Sequence, residues 1–235
     1  TLITINGWSQ GCSHQLGALK NSHASRLDTL DILHQDIYLD FSTFSAATFK
    51  GVATMQVRLL QPTSQLHFDL EALTVDSVKV EGQPMLFDYL GQGFVIQNAG
   101  AWIGPDTLEV QVWYGGHPMT DGTWGGFYYN SQYAYNMGVG FDSDPHCLGR
   151  AWHPCIDDFN DRVTYDLSVE TLIAHRAICG GVLQSEEVLP NTHRLSHWHL
   201  AEPIPSYLAS VAVGSYVHTA ENWVSEDGDV IPIWL

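Results

Sequence analysis

An all-β, antiparallel fold is what this sequence predicts, on three observations. Apolar and polar residues alternate with a period of two in DIYLDF, ATMQVRLL, QLHFDL, SVKV, FVIQ, LEVQVWY, VTYDLSVETL and HRLSHWHL. That period puts one set of side chains on a dry face and the other in water. Turn formers separate these runs: Gln61-Pro62-Thr63-Ser64, Glu81-Gly82-Gln83-Pro84, Gly104-Pro105-Asp106, Gly115-Gly116-His117-Pro118 and Leu189-Pro190-Asn191. Proline presets φ and glycine supplies positive φ there. Helical spacing is scarce, since only Phe41 to Phe49 has a helical look and FSAATFKG serves equally as the turn between the first two strands.

Taken in order, residues 1–28 are a lead-in rich in Ser, Gly, Asn and His, the kind of terminus that is held loosely. Its TLITINGWSQGC reads as the end of an apolar export signal followed by small and polar residues. A secreted, periplasmic or extracellular location is expected on that reading, and cleavage before Cys12 would make a lipoprotein. Residues 29–235 form one β domain, opening on DIYLDF and continuing strand by strand to DGDVIPIWL. A chain of 235 residues is a normal size for a single all-β unit. No repeat, low-complexity tract or shift in composition divides it.

Charge excludes two classes of partner. Nine basic against 26 acidic residues give a net charge of −17, which repels nucleic acid and anionic lipid. No apolar run reaches the ~18–20 residues of a membrane span, the longest being the interrupted YLASVAVGSYV from Tyr207 to Val217.

The densest chemistry lies in GRAWHPCIDDF, which brings Arg150, His153, Pro154, Cys155 and Asp157 together. It could be a metal site, a nucleophile or a structural corner. Twelve histidines invite a zinc reading, but no HExxH occurs, and that motif supplies the ligands and general base of a metallopeptidase. In THRLSHWHL, a strand separates His193 from His197 by roughly 13 Å, and His197 from His199 by about 6.6 Å. These are expected to be exposed strand histidines, with no metal bound. Cys155 with His153 is a weak nucleophile pair, because Trp152, Pro154 and Ile156 suggest packing around an inert thiol, and no GxSxG elbow presents a serine. Four cysteines, Cys12, Cys147, Cys155 and Cys179, allow three full pairings. A Cys155–Cys179 disulfide is the first pairing to expect in an oxidising compartment, against the alternative of two buried thiols. Finally, TWGGFYYNSQYAY, Thr123 to Tyr135, is rich in aromatics and carries Gly125-Gly126, which permits close backbone approach. It supports a rival reading as a free-standing β-sandwich module binding glycan or protein.

The order of segments is more specific than any one of them. HQDIYLDF, LTVDSVKVEGQPM, TLEVQVWYGG, GGFYY, GRAWHPCIDDFNDRVTYDLSVE and EPIPSYLASVAVGSYV resemble, in the same order, the N-terminal domain of the aminopeptidase N family of zinc metallopeptidases. The resemblance runs from about Leu33 to Val217. It implies a saddle-like antiparallel β-sandwich that packs on a thermolysin-like catalytic domain and helps form its substrate cleft. It also implies that this chain is a non-catalytic fragment, with zinc and peptidase activity belonging to the parent's catalytic domain, and that GDVIPIWL leads into that domain. In much of the family this domain lends a Gln or Glu, just before the ARxxFPCFDEP-like signature, to the substrate's α-amine. The matching MGVGFDSDPHCLGR has no Glu, which leaves Asp142 and Asp144 as candidates for contact with a peptide substrate. His153 replaces the signature's Phe, and Asp158-Phe159 its final Glu-Pro. Arg150, Pro154, Cys155 and Asp157 are then expected to form a structural corner fixed by an Arg150–Asp157 ion pair.

Overall fold

The computed structural model describes residues 26, 28–104, 107–217 and 219–234. The expected lead-in, with TLITINGWSQGC and Cys12, lies outside these residues except for Arg26 and Asp28, as do Pro105 and Asp106 of one expected turn. In chain order the strands are β1 (Leu30–Asp40), β2 (Phe49–Leu59), β3 (Thr63–Asp69), β4 (Thr74–Val80), β5 (Gln83–Pro84), β6 (Phe87–Tyr89), β7 (Gly93–Trp102) and β8 (Thr107–Gly116). They continue as β9 (Gly126–Tyr129), β10 (Tyr133–Met137), β11 (Val163–Leu172), β12 (Arg176–Cys179), β13 (Val182–Val188), β14 (His193–Ile204), β15 (Val211–Gly214), β16 (Ala220–Val224) and β17 (Val230–Trp234). Single 3-10 turns cover Phe44–Ala46, Gly149–Ala151 and Ser206–Leu208. The Phe41 to Phe49 segment is therefore the turn between the first two strands. Among the described residues no helix is long and apolar enough to cross a membrane.

The main sheet has eight strands in the order β13-β14-β11-β1-β2-β8-β4-β5. A four-stranded sheet, β12-β15-β10-β9, and a three-stranded sheet, β3-β7-β6, accompany it, and β16-β17 form a separate hairpin. One pairing departs from the antiparallel expectation. β1 and β11 run parallel, with His34 opposite Thr164 and Asp40 opposite Glu170. A parallel pair needs a long crossover, and here everything between the two strands provides it.

Alternation explains the core. In β11 the pattern is strictly buried then half-buried, with Val163, Tyr165, Leu167 and Val169 inside. One apolar cluster joins these residues to Phe41, Phe49, Met55 and Val110 of the main sheet region, to Phe127, Ala134 and Val213 of the four-stranded sheet, and to Phe68 and Phe94 of the three-stranded one. Each large side chain buried this way contributes about 1.5–3 kcal/mol. Phe41, Phe49 and Phe127 also meet as rings 5.4–6.2 Å apart, within the range of favourable aromatic pairs.

A β-bulge between Ile32 and His34 resets the phase of β1. Both Ile32 and Gln35 consequently point inward. Gln35 Nε2 then donates to the carbonyl of Pro154 at 2.8 Å, tying the first strand to the GRAWHPCIDDF corner. The expected Glu81-Gly82 turn joins β4 to β5 with φ of 50° and 72° at its two central residues, the left-handed pair that matches the twist of a hairpin.

Candidate functional site

The corner is built on Asp157, which is fully buried. Its Oδ1 accepts from Gly149 N–H at 3.1 Å and from the Ser206 hydroxyl at 2.6 Å. Its Oδ2 accepts from Arg150 N–H at 3.2 Å and from the Arg150 guanidinium at 2.9 Å. Arg150 Nε also donates to Glu71 at 2.8 Å. Burial by itself lowers the Arg150 pKa, but the Asp157 and Glu71 carboxylates beside it outweigh that and hold it above the ordinary value. The same burial raises the Asp157 carboxyl, with the guanidinium pulling against it.

Backbone pairing locks the corner to β3. Asp69 N–H donates to the Cys155 carbonyl at 2.7 Å and Cys155 N–H to the Asp69 carbonyl at 3.1 Å. The Asp69 side chain accepts from Asp157 N–H at 2.9 Å and pairs with Arg26 at 2.6 Å. Gly149 is required where these elements converge, because a Cβ there would lie 2.7 Å from Ser206 Cβ and 3.0 Å from Asp157 Oδ1. Asp69, Glu71 and Ser206 are the members of this network that sequence reasoning missed. Ser206 at least lies in the EPIPSYL segment that carried the family resemblance.

Neither Cys155 nor His153 is arranged as a nucleophile and base. Burial pushes the Cys155 thiol well above its usual range and lowers His153 to about 4. A thiolate is what such chemistry needs. The expected Cys155–Cys179 disulfide is corrected by the structure: Cys147, Cys155 and Cys179 are all buried free thiols. The reason is topological. Cys155 bridges to β3, whereas Cys179 ends β12 in the four-stranded sheet, opposite Val211.

Asp142 and Asp144 stand on an exposed loop that precedes the corner. Asp121 shapes it from below. Its Oδ2 accepts from Phe141 N–H at 2.9 Å and Asp142 N–H at 2.8 Å, and its Oδ1 from the Ser143 hydroxyl at 2.6 Å. The Ser143 hydroxyl foremost, then these amides, hold the Asp121 carboxyl below its ordinary pKa. Asp142 Oδ2 accepts from Thr123 Oγ1 at 2.8 Å. Asp144 precedes Pro145 through a cis peptide bond. Beside these two carboxylates, Phe141 is 66% and Trp124 47% exposed. The loop thus presents two anionic groups next to apolar rings, a surface suited to an ammonium with an attached hydrocarbon.

Gly125 and Gly126 take the loop's tightest positions, and what approaches them is the chain's own backbone. Cβ atoms there would lie 2.2 Å from the Val139 carbonyl oxygen and 2.6 Å from that of Met119, at φ of 108° and 93°. Replacing Gly125 by Ala is expected to destabilise the chain by about 3 kcal/mol or more, from the strained φ together with overpacking. Urea denaturation measures it, and a loss under ~1 kcal/mol would contradict the geometry.

The strand histidines are half-buried rather than exposed, and each is engaged across β14 and β11. His193 pairs with Glu170 at 2.5 Å, His197 with the Ser168 hydroxyl at 2.8 Å, and His199 with Asp166 at 2.6 Å. Among the described residues no group of three or more His, Cys, Asp or Glu side chains is placed to hold a metal ion.

The family model described as the peptidase M1 N-terminal domain matches residues 32–208. This chain belongs to the peptidase M1 N-terminal domain family. The M1 N-terminal domain seen here is similar in fold to an M1 zinc metallopeptidase mutant from Deinococcus radiodurans bound to a Tyr-Ser-Ala substrate. That likeness has a TM-score of 0.75 and 20% identity, covering 87% of this chain and 46% of that one. Aminopeptidase A of Legionella pneumophila, in complex with aspartic acid, gives 0.74 and 16%, covering 88% and 24%. Both likenesses carry the fold alone, and this M1 N-terminal domain spans less than half of either structure. No curated protein matches the chain.

Proposed function

We propose that this chain is the non-catalytic β domain of a secreted zinc-dependent aminopeptidase, that it packs on a catalytic domain of the same protein, and that its 141–146 loop forms part of the substrate cleft. The observation that carries this reading is the family match over residues 32–208. Among the described residues no three His, Cys, Asp or Glu side chains are grouped to hold an ion; in this reading zinc is held by the catalytic domain, where it would activate water or the peptide carbonyl as a Lewis acid. What this chain contributes is positioning. Asp142 and Asp144 offer carboxylates to the α-ammonium of a peptide, while Phe141 and Trp124 offer apolar surface to its first side chain.

The β16-β17 hairpin supports the packing. Among the described residues it pairs with no other sheet, and it exposes Trp223, Val224, Val230 and Ile231. Trp223 pairs with Ile231 and Val224 with Val230, so apolar side chains stand exposed on each face of the hairpin, and exposed apolar surface marks sites of contact. The signal-like TLITINGWSQGC supports secretion.

The full-length protein tests both levels of the reading. With an aminoacyl p-nitroanilide as substrate, the Asp142→Asn/Asp144→Asn double variant is expected to raise KM about ten-fold with kcat little changed, as loss of ammonium binding requires. An unchanged KM would remove the loop from the cleft. A full-length protein that holds no zinc and cleaves no aminoacyl substrate would remove the peptidase reading itself.

A further inference from the structure

One short stretch of chain, Asp121-Gly122-Thr123, holds the 141–146 loop, and it holds one of the loop's two carboxylates far more firmly than the other. We propose, on the placement of this loop in the substrate cleft, that Asp121 and Thr123 are its positioning residues, and that the group they position for the α-ammonium of a peptide is the Asp142 carboxylate rather than that of Asp144.

The first tie is to the backbone. Asp121 is 8% exposed, and its two oxygens accept from three consecutive residues: the Phe141 and Asp142 amides at 2.9 and 2.8 Å and the Ser143 hydroxyl at 2.6 Å. No neutral side chain of this size could serve all three, since an Asn offers a single accepting oxygen. Asp121 is itself anchored, its N–H donating to the Gly125 carbonyl at 2.9 Å. Gly140 packs against it so closely that a Cβ there would lie 3.0 Å from Asp121 Cγ. The base of the loop is closed separately. Gly140 N–H donates to the His146 carbonyl at 2.8 Å, and His146 Nδ1 donates to the Gly140 carbonyl at 2.9 Å.

The second tie is to the side chain of Asp142. Thr123 Oγ1 donates to its Oδ2 at 2.8 Å. Gly122 makes room for that oxygen, because a Cβ at Gly122 would lie 2.8 Å from it. Nothing among the described residues donates to Oδ1 of this exposed residue, so one oxygen is fixed and the other is open to a ligand. Asp144 is equally exposed, and among the described residues no hydrogen bond or ion pair holds its carboxylate.

That difference decides which aspartate binds. A free surface carboxylate gives up side-chain entropy when it pairs, which cancels most of what an exposed ion pair gains. A carboxylate already fixed has little left to lose, so the same contact yields more affinity. The exposed rings adjoin the fixed one: Phe141 precedes Asp142, Trp124 follows Thr123, and the two segments meet where Phe141 N–H reaches the Trp124 carbonyl at 3.3 Å.

Steady-state kinetics of the full-length protein on an aminoacyl p-nitroanilide tests the assignment. Asp142→Asn alone is expected to give most of the roughly ten-fold rise in KM of the Asp142→Asn/Asp144→Asn variant. Thr123→Val removes one hydrogen bond from an exposed side chain, and is expected to raise KM about three-fold with kcat little changed. Asp121→Asn is expected to raise it about five-fold. Thr123→Ser keeps the hydroxyl and should keep the parent's KM. In an Asp142→Asn background Thr123→Val should add nothing, a coupling that a merely structural residue would not show. If Asp121→Asn does not fold, Thr123→Val still carries the test. Three results would overturn the assignment: Asp144→Asn alone reproducing the rise of the double variant, Thr123→Val leaving KM unchanged, or Thr123→Val keeping its full effect without the Asp142 carboxylate. A double variant with unchanged KM would instead remove the loop from the cleft, and the assignment with it.

Discussion

Replacing Arg150 by Met is expected to lower the stability of this chain by about 3–5 kcal/mol, the range for breaking a buried ion pair from one side. The guanidinium is the charged partner of Asp157, which is 0% exposed, and of Glu71. Without it, Asp157 keeps the Gly149 and Arg150 amides and the Ser206 hydroxyl, yet holds a negative charge with no compensating cation. Burial already raises the Asp157 carboxyl, and loss of Arg150 raises it further. The sign of the pH dependence follows. An acid whose folded pKa exceeds its unfolded value is most favourable when protonated, so the variant's deficit grows as pH rises through that window. Urea denaturation should show a larger deficit at pH 8 than at pH 5. Adding Asp157→Asn should recover part of it, because the uncompensated charge is then gone. A deficit below ~1 kcal/mol at both pH values would mean that the pair is not the corner's main tie.

The fold was legible where burial is one-sided and local. Strands β1, β2, β8 and β11 each show their buried set as a period-two pattern, and the core contains those residues. The short strands β9 and β12, with four residues each, are too brief for a period to register. Parallel pairing of β1 with β11 was not legible either, since alternation tells which face is wet and says nothing of which strand lies alongside.

The same division holds at the corner. Arg150 and Asp157 lie close in sequence and have complementary chemistry, so their pairing could be anticipated. Asp69 and Glu71 are about 80 residues away by the separations of 88 and 79 that their hydrogen bonds span, and only the pairing of β3 with the corner brings them in. Gly125-Gly126 announced close approach correctly, but the approaching group was the backbone at Val139 and Met119 rather than a ligand. The unpartnered Tyr129 hydroxyl and His175 Nδ1, both buried, had no signal at all. A missing hydrogen-bond partner is a property of three-dimensional packing.

Asp161 gives the second large effect, and of the opposite sign. It is 3% exposed, and neither carboxyl oxygen accepts a hydrogen bond of ordinary geometry, the Ile32 amide acting on it only weakly. Burial foremost, then the charge of Asp31, and after it that of Asp158, push its pKa up to about 7, with the Ile32 amide pulling back only in part. In the unfolded chain the value is ~3.9. Between those two values the folded state keeps a proton that the unfolded state has released, so stability falls as pH rises through the window. The full difference, about 3 pK units, corresponds to roughly 4 kcal/mol above pH 7. Asp161→Asn replaces the group with a neutral one of the same shape. Its amide still lacks partners, which costs about 1–3 kcal/mol in a buried site. The variant is therefore expected to be more stable than the parent chain by about 2 kcal/mol at pH 8, with the gain vanishing at about pH 5.5 and the variant less stable by roughly 2 kcal/mol below about pH 4. Subtracting the two stability curves isolates this carboxyl from every other titrating group. A difference that stays flat from pH 4 to 8 would show that Asp161 is ionised in the fold at no cost, which its unpartnered burial does not allow.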